Sequence, residues 1–197
     1  MKSGDILRKR AVVCMLAVLM LFSLALASCS EDKPDDSSMT RDLLNSYMNS
    51  LNSYNISGIN KCCMAKLDGY DDSDEVSKGC RVFTSRVDWE CENISIDGSS
   101  AIAQISLTIP GDFEEICTSA LKDAVAQLEK DPKLNPASAL HSALKKRAAG
   151  SATVEQSVEV SMTKVENKWY IVKSMGINRL ISDIRTPVKG AYSILGY

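Results

Sequence analysis

Ala101-Ile102-Ala103-Gln104-Ile105-Ser106-Leu107-Thr108-Ile109 sets an apolar side chain at every odd position. Successive side chains of a strand point to opposite faces, so this spacing predicts a strand that buries its odd residues. Pro110 has no N–H to offer a ladder and ends the run. Upstream, Asp97-Gly98 predicts a tight hairpin, because a type I′ turn needs positive φ at both central residues. The strand on the other side of that turn is read over residues 81–96. There Phe83, Val87, Trp89 and Cys91 share one parity while Ile94 and Ile96 share the other, which predicts a bulge near Glu92-Asn93.

A second hairpin is read over residues 153–165 and 169–174, turning at Glu166-Asn167-Lys168. Helices account for the rest. Thr40 or Ser38 caps the first, which carries Leu43, Leu44, Tyr47, Met48, Leu51 and Tyr54 at helical spacing. A short helix follows over residues 56–65, and residues 66–79 read as an acidic loop. Asp112 and Glu115 form a capping-box start for a helix with Phe113, Ile116, Cys117, Ala120, Leu121, Ala124, Val125 and Leu128 on one stripe. Asp131-Pro132 breaks it, and Asn135-Pro136 opens another that Gly150 closes. Asn178 caps a last short helix through Ile184, ahead of a tail over residues 185–197. This order is that of an α+β domain, with one antiparallel sheet of four strands and helices on one face.

The N-terminus reads differently. Lys2, Arg8, Lys9 and Arg10 precede an uncharged run from Ala11 to Ala27. The stretch Leu26-Ala27-Ser28-Cys29 that closes it resembles the lipobox of bacterial lipoproteins. The resemblance implies diacylglyceryl transfer to the Cys29 thiol and cleavage after Ser28. It makes residues 1–28 a signal peptide and places the remainder outside the cytoplasm, anchored to a membrane through lipidated Cys29. Cys14, inside the apolar run, leaves with the signal. Residues 29–38 are polar and acidic and read as a tether, residues 39–184 as one domain. The chain has 23 basic and 25 acidic residues. Four of the basic ones and Asp5 precede Cys29, which leaves the remainder at a net charge of −5. An acidic chain without a basic run is not a nucleic-acid binder.

From Tyr47 to Ser174 the chain resembles small lipoproteins with a nuclear transport factor 2-like domain of the cystatin-like superfamily. The resemblance rests on the strand-to-helix passage Ile105 to Phe113, the Ala/Lys/Leu-rich helical stretch after it, and Val165-Glu-Asn-Lys-Trp-Tyr-Ile-Val172. It implies a curved sheet wrapped on helices into a cone that either holds a small ligand or is packed. Trp89, Trp169, Tyr170 and Tyr47 are the side chains that would line such a pocket.

The chemistry visible in the sequence is sparse. An extracytoplasmic address permits disulfides. Cys62 or Cys63 can close onto Cys80 across the acidic loop, Cys63 being preferred, with a loop-closure gain of about 3 kcal/mol. Cys91 and Cys117 read as buried thiols, with a Cys91–Cys117 bridge as the alternative. No Cys-x-x-Cys pair and a single histidine, His141, leave neither a zinc site nor a nucleophile–histidine pair to read. Asp68, Asp71, Asp72, Asp74 and Glu75 lack the spacing and central glycine of an EF-hand loop. No cofactor is read. The function expected is non-enzymatic: a module that binds a small apolar ligand or an envelope protein. Two alternatives stand beside it. One is a ketosteroid isomerase-like or hydratase-like enzyme using Asp88 and Tyr47. The other is a structural module that forms a homodimer through the open sheet face.

Overall fold

The structure, a computed structural model, describes residues 35–67, 69, 70 and 74–197. Cys29, the expected signal peptide over residues 1–28 and most of the expected tether lie outside the described residues. Asp36 to Tyr197 form one compact unit. Its elements are α1 (Asp36–Asn52), α2 (Ile56–Cys62), α3 (Glu75–Thr84), β1 (Asp88–Asp97), β2 (Ser100–Pro110), α4 (Phe113–Lys130), α5 (Pro136–Ala149), β3 (Thr153–Val165), β4 (Lys168–Lys173) and α6 (Met175–Ile194). The fold is α+β. The strands form one open sheet in the order β1-β2-β3-β4, every neighbour antiparallel.

The alternation of β2 fixes the sheet's two faces. Ala101, Ala103, Ile105, Leu107 and Ile109 lie on the inner face with Val158, Val160 and Met162 of β3 and Trp169 and Ile171 of β4. None of them is more than 6% exposed. The register shifts between Cys91 and Asn93, where the change of parity places the bulge. The first turn falls one residue later than the sequence suggests: Asp97 and Ser100 close it around Gly98-Ser99. Gly98 alone takes positive φ there, 56°, which is the II′ pattern. At the second hairpin Glu166 and Asn167 both have positive φ, 49° and 63°, which is the I′ pattern.

Helices cover the inner face. α1 buries Leu44, Tyr47, Met48 and Leu51 and rests on β1 and β4, while α6 packs on β3. α4 pairs with α5, and α3 packs against both α5 and α6. Asp112 and Asn135 cap α4 and α5 by accepting from Glu115 N and Ser138 N, each at 3.0 Å. The start of α1 is tied across the sheet, with Asp36 Oδ1 accepting from Lys164 Nζ at 2.5 Å and from Trp169 Nε1 at 2.9 Å.

Three elements differ from the sequence reading. Residues 75–84 are helix, not loop and strand. Asp74 caps them by accepting from Ser77 N, and Val76, Cys80 and Phe83 face the core. Phe83 and Val87 are four apart, a spacing that suits both a helix and a strand, and this concealed the boundary. α1 begins at Asp36, so Thr40 is not its cap but lies buried in its first turns, its hydroxyl donating to Asp36 O at 2.8 Å. The last helix is the longest among the described residues: α6 continues through Pro187 to Ile194, with Asn178 inside it. Proline in a helix interior removes a backbone hydrogen bond. Burial of Val188, Ala191 and Tyr192 holds the helix together beyond it.

Gly79 of α3 marks the closest approach of α6. A Cβ there would lie 2.7 Å from Tyr192 Cε2 and 2.7 Å from Val188 Cγ1. Alanine gains about 1 kcal/mol of helix propensity over glycine, while overpacking a core costs about 1–3 kcal/mol. Gly79→Ala is therefore expected to lower the urea midpoint, with a net loss of up to about 2 kcal/mol. A raised midpoint would show that α3 and α6 can move apart freely.

Candidate functional site

The outer face of the sheet carries the side chains that the inner alternation leaves behind. Register lines them up in cross-strand rows: Asp88-Thr108-Glu155, Glu90-Ser106-Ser157, Asn93-Gln104-Glu159, Ser95-Ile102-Ser161 and Asp97-Ser100-Thr163. Tyr170 of β4 extends the last row. Asp88, Glu90, Asp97, Glu155 and Glu159 are exposed. Among the described residues, the ion pairs formed are Lys78–Glu75, Arg147–Asp123, Lys164–Asp36, Arg179–Asp183 and Arg185–Asp74, and none uses these five carboxylates. Glu159 accepts instead from Gln104 Nε2 at 3.3 Å. Two exposed apolar side chains also stand on this face, Ile102 of β2 at 43% and Val172 of β4 at 48% exposure. Lys168 Nζ sits 5.0 Å from the centre of the Tyr170 ring. The face is thus a solvated surface of Ser, Thr and carboxylates that have no ion-pair partner among the described residues.

The four aromatic residues read as pocket lining do not converge. Tyr47 is 1% exposed on α1, and burial pushes its hydroxyl above the usual phenol range. Trp169 is a core residue that donates to Asp36, while its neighbour Tyr170 stands on the outer face. Adjacent strand residues point to opposite faces, so these two cannot line one pocket. Trp89 is half-buried against the core from β1. The depressions in the surface lie elsewhere. One of about 390 Å³ runs past Gly111, Asp112, Glu115, Arg147 and Val154. Another of about 400 Å³ lies beside His141, Lys78 and Lys145. His141 is less exposed than its polar helix suggests: its Nδ1 is buried without a partner, and burial, then Lys145, lowers its pKa. Asp88 stands exposed on the outer face, with the sheet between it and Tyr47, so the two do not form a carboxylate–donor pair.

The five domain cysteines are free thiols. Cys80 faces the core from α3, where burial pushes its thiol up to about 12 against a hydrogen bond with Tyr54. Burial, then Cys80, takes Cys117 up to about 12 as well. Cys63 is raised to about 11 by burial, then by Cys62, and both act on Tyr47. The expected closure of Cys62 or Cys63 onto Cys80 is not made; Cys80, on the helix of residues 75–84, lies in the core beside Tyr54. Nor is Cys91 bridged to Cys117: Cys91 sits half-exposed at the bulge, its thiol 3.7 Å from Asn93 O. Asp74 and Glu75 of the acidic stretch serve the start of α3, the latter pairing with Lys78 at 2.6 Å. Asp68, Asp71 and Asp72 lie outside the described residues.

Arg185 was missed because the sequence reading placed it in a tail. On α6 its guanidinium donates to Tyr54 Oη at 3.2 Å, lies 3.6 Å from Asp74 and stacks 5.1 Å from the Tyr70 ring centre. The signal was present in Ile181, Ile184 and Val188, which continue a helical stripe past it.

These environments predict an order of thiol reactivity. Iodoacetamide at pH 8 is expected to label Cys91 first in the native, non-reduced protein, with Cys80 and Cys117 labelled only in denaturant. Peptide-level mass spectrometry reads the order, and a disulfide-linked Cys63–Cys80 peptide would overturn the free-thiol arrangement.

No protein-family model matches the chain, and no curated protein sequence matches it. The chain is similar to two solved structures. One is AclR of Streptomyces galilaeus, a candidate hydroxylase, with 13% identity and a TM-score of 0.35 over 73% of this chain and 84% of that one. The other is YcdA of Bacillus subtilis, a candidate lipoprotein, with 18% identity and a TM-score of 0.39 over 73% of this chain and 46% of that one. The α+β assignment rests on the chain's own sheet and helices.

Proposed function

We propose that this chain is a lipoprotein held outside the cytoplasm through Cys29, whose nuclear transport factor 2-like domain binds a protein partner through the outer sheet face and catalyses no reaction. One observation carries the choice of a partner over a small apolar ligand. The inner face of the sheet is filled by the chain's own side chains, with Ala103, Ile105, Leu107 and Val160 at 0% exposure under the helices. The outer face, with its rows of exposed carboxylates and hydroxyls, is the surface that favours a partner. The isomerase or hydratase reading needs a carboxylate inside an apolar cleft, and Asp88 is on the solvent side of the sheet.

The anchor and the domain are close in sequence. Seven residues from Cys29 to Asp35 precede α1, and an extended chain of that length reaches at most about 25 Å. A partner would therefore be met near the membrane surface.

A benzophenone side chain placed at Ser106 of the full-length chain in a bacterial host is expected to give a discrete adduct with a polypeptide. The same group at Arg179, exposed on α6, should give none. Adducts at neither position, or a small molecule retained in stoichiometric amount in native mass spectrometry, would sink the partner reading. For the anchor, Cys29→Ala is expected to abolish labelling by radioactive palmitate and to release the protein from the membrane fraction, and undiminished labelling would remove the lipoprotein assignment.

A further inference from the structure

We infer that the open edge of β3, from Thr153 to Glu159, takes up an extended segment of a partner polypeptide as a fifth strand, and that this segment carries basic residues opposite Glu155 and Glu159. The inference rests on the partner-binding reading above and names the place and the chemistry of that contact.

β3 has thirteen residues and β4 only six. β4 pairs with β3 over Ser161 to Val165, after which the chain leaves the sheet at Ser174 to enter α6. Among the described residues, the part of β3 before Ser161 therefore has β2 on one side and no strand on the other. The ladder shows which groups are left open. Gly111 N donates to Ala152 O at 2.9 Å and Lys164 N donates to Ser99 O at 2.8 Å. Both bonds have the phase in which even-numbered residues of β3 face β2. In an antiparallel ladder the residues that turn N–H and C=O to a given neighbour alternate. Thr153, Glu155, Ser157 and Glu159 thus direct theirs to the open side. Among the described residues, no backbone hydrogen bond joins these groups to another element.

The two edges of the sheet are unlike. β1 is broken by a bulge between Cys91 and Asn93 and lies against α1, and bulges are among the devices that keep edges from pairing. The open stretch of β3 contains no bulge, proline or lysine. α6 starts beside it without closing it. Gly176 lets the helix press on the inner side of Val158, where a Cβ would fall 2.5 Å from Val158 Cγ1. A groove of about 320 Å³ remains along Gln156, Ser157, Glu159, Ser161 and Met175. Met175 is 67% and Val154 49% exposed, giving an added strand apolar contacts.

Charge selects the occupant. Glu155 and Glu159 point from the open edge to the outer face with Ser157 between them, and neither has a cationic partner among the described residues. A second copy of the chain, paired by two-fold symmetry about Ser157, would set each Glu155 opposite a Glu159. Like charges directly opposite across strands destabilise the pair. A strand reading basic-apolar-small-apolar-basic meets both carboxylates and supplies the missing backbone partners. This mode, strand addition at a sheet edge, draws affinity from main-chain hydrogen bonds and specificity from alternate side chains.

The test uses the full-length chain in detergent micelles and three synthetic peptides. The first is acetyl-Thr-Lys-Val-Thr-Val-Lys-Thr-amide. The second has glutamate for lysine, and the third is the first with alternate backbone nitrogens methylated. Hydrogen exchange is followed by mass spectrometry. The lysine peptide is expected to slow exchange over residues 153–160 by about fivefold or more, with the glutamate peptide needing at least about tenfold higher concentration and the methylated peptide giving no protection. Ser157→Pro should abolish the protection. The surface pair Glu155→Lys with Glu159→Lys should reverse the preference toward the glutamate peptide, which keeps a readout if the proline variant does not fold. Absence of protection by every peptide, equal protection by the methylated peptide, or protection over residues 88–97 instead would overturn the inference. So would protection of the edge that rises with protein concentration alone, the mark of self-association. Any of these failures leaves the adduct at Ser106 standing or falling independently.

Discussion

The structure depends on covering one face of one strand. β2 sits between β1 and β3, and its odd residues from Ala101 to Ile109 are all buried. A slip of one residue in its pairing would exchange that face for Ile102, Gln104, Ser106 and Thr108, so burial fixes the register of the whole sheet. Ala101 and Ala103 are small, and the bulky side chains of Ile105 and Leu107 take up the space farther along the strand. The bulge on β1 follows from the same demand: it returns Ile94 and Ile96 to the face that Trp89 and Cys91 occupy before it. Once the inner face is set, the outer one is set as well, and the carboxylates and hydroxyls along it have nowhere else to point.

Long-range polar contacts then tie the helices to this frame. Asp36 receives Lys164 and Trp169 from across the sheet, and these hydrogen bonds hold its carboxyl below the usual range despite the opposing effect of burial. At the other end Arg185 links α6 to Tyr54 and Asp74. Each contact joins residues more than a hundred positions apart in sequence. They position the helices against the sheet but do not gather reactive groups into a cleft. The unpaired carboxylates stay on the outer face, on the side of the sheet that the helices leave to solvent. The outer face proposed for recognition is thus a by-product of how the core is closed.

Much of the fold was legible. The strand pair around Gly98, the bulge, the caps at Asp112 and Asn135 and the end at Gly150 all depend on neighbours within a few residues, where turn chemistry and period decide the outcome. The failures have equally specific causes. α3 was hidden because the spacing from Phe83 to Val87 satisfies two periods at once. The end of α6 was hidden because Pro187 and the polar residues around it are poor local support, and the helix is held by burial of Val188 and Tyr192 against α3. The aromatic pocket was an error of direction, since Trp169 and Tyr170 are neighbours on one strand. Cys80 was assigned to a loop closure because its segment was read as loop.

The sequence by itself determined which side chains face in and which face out, because a period of two residues is a local property of the chain. It also determined that a turn falls within Glu166-Asn167-Lys168, which the structure narrows to Glu166-Asn167 with Lys168 already in β4. Tertiary structure alone decided that β4 stops after six residues while β3 continues, leaving Thr153, Glu155, Ser157 and Glu159 without a strand partner on that side among the described residues. That outcome is set by where α6 can dock, with Gly176 against Val158 and Gly79 beneath Tyr192. Such contacts join segments whose meeting no local pattern records.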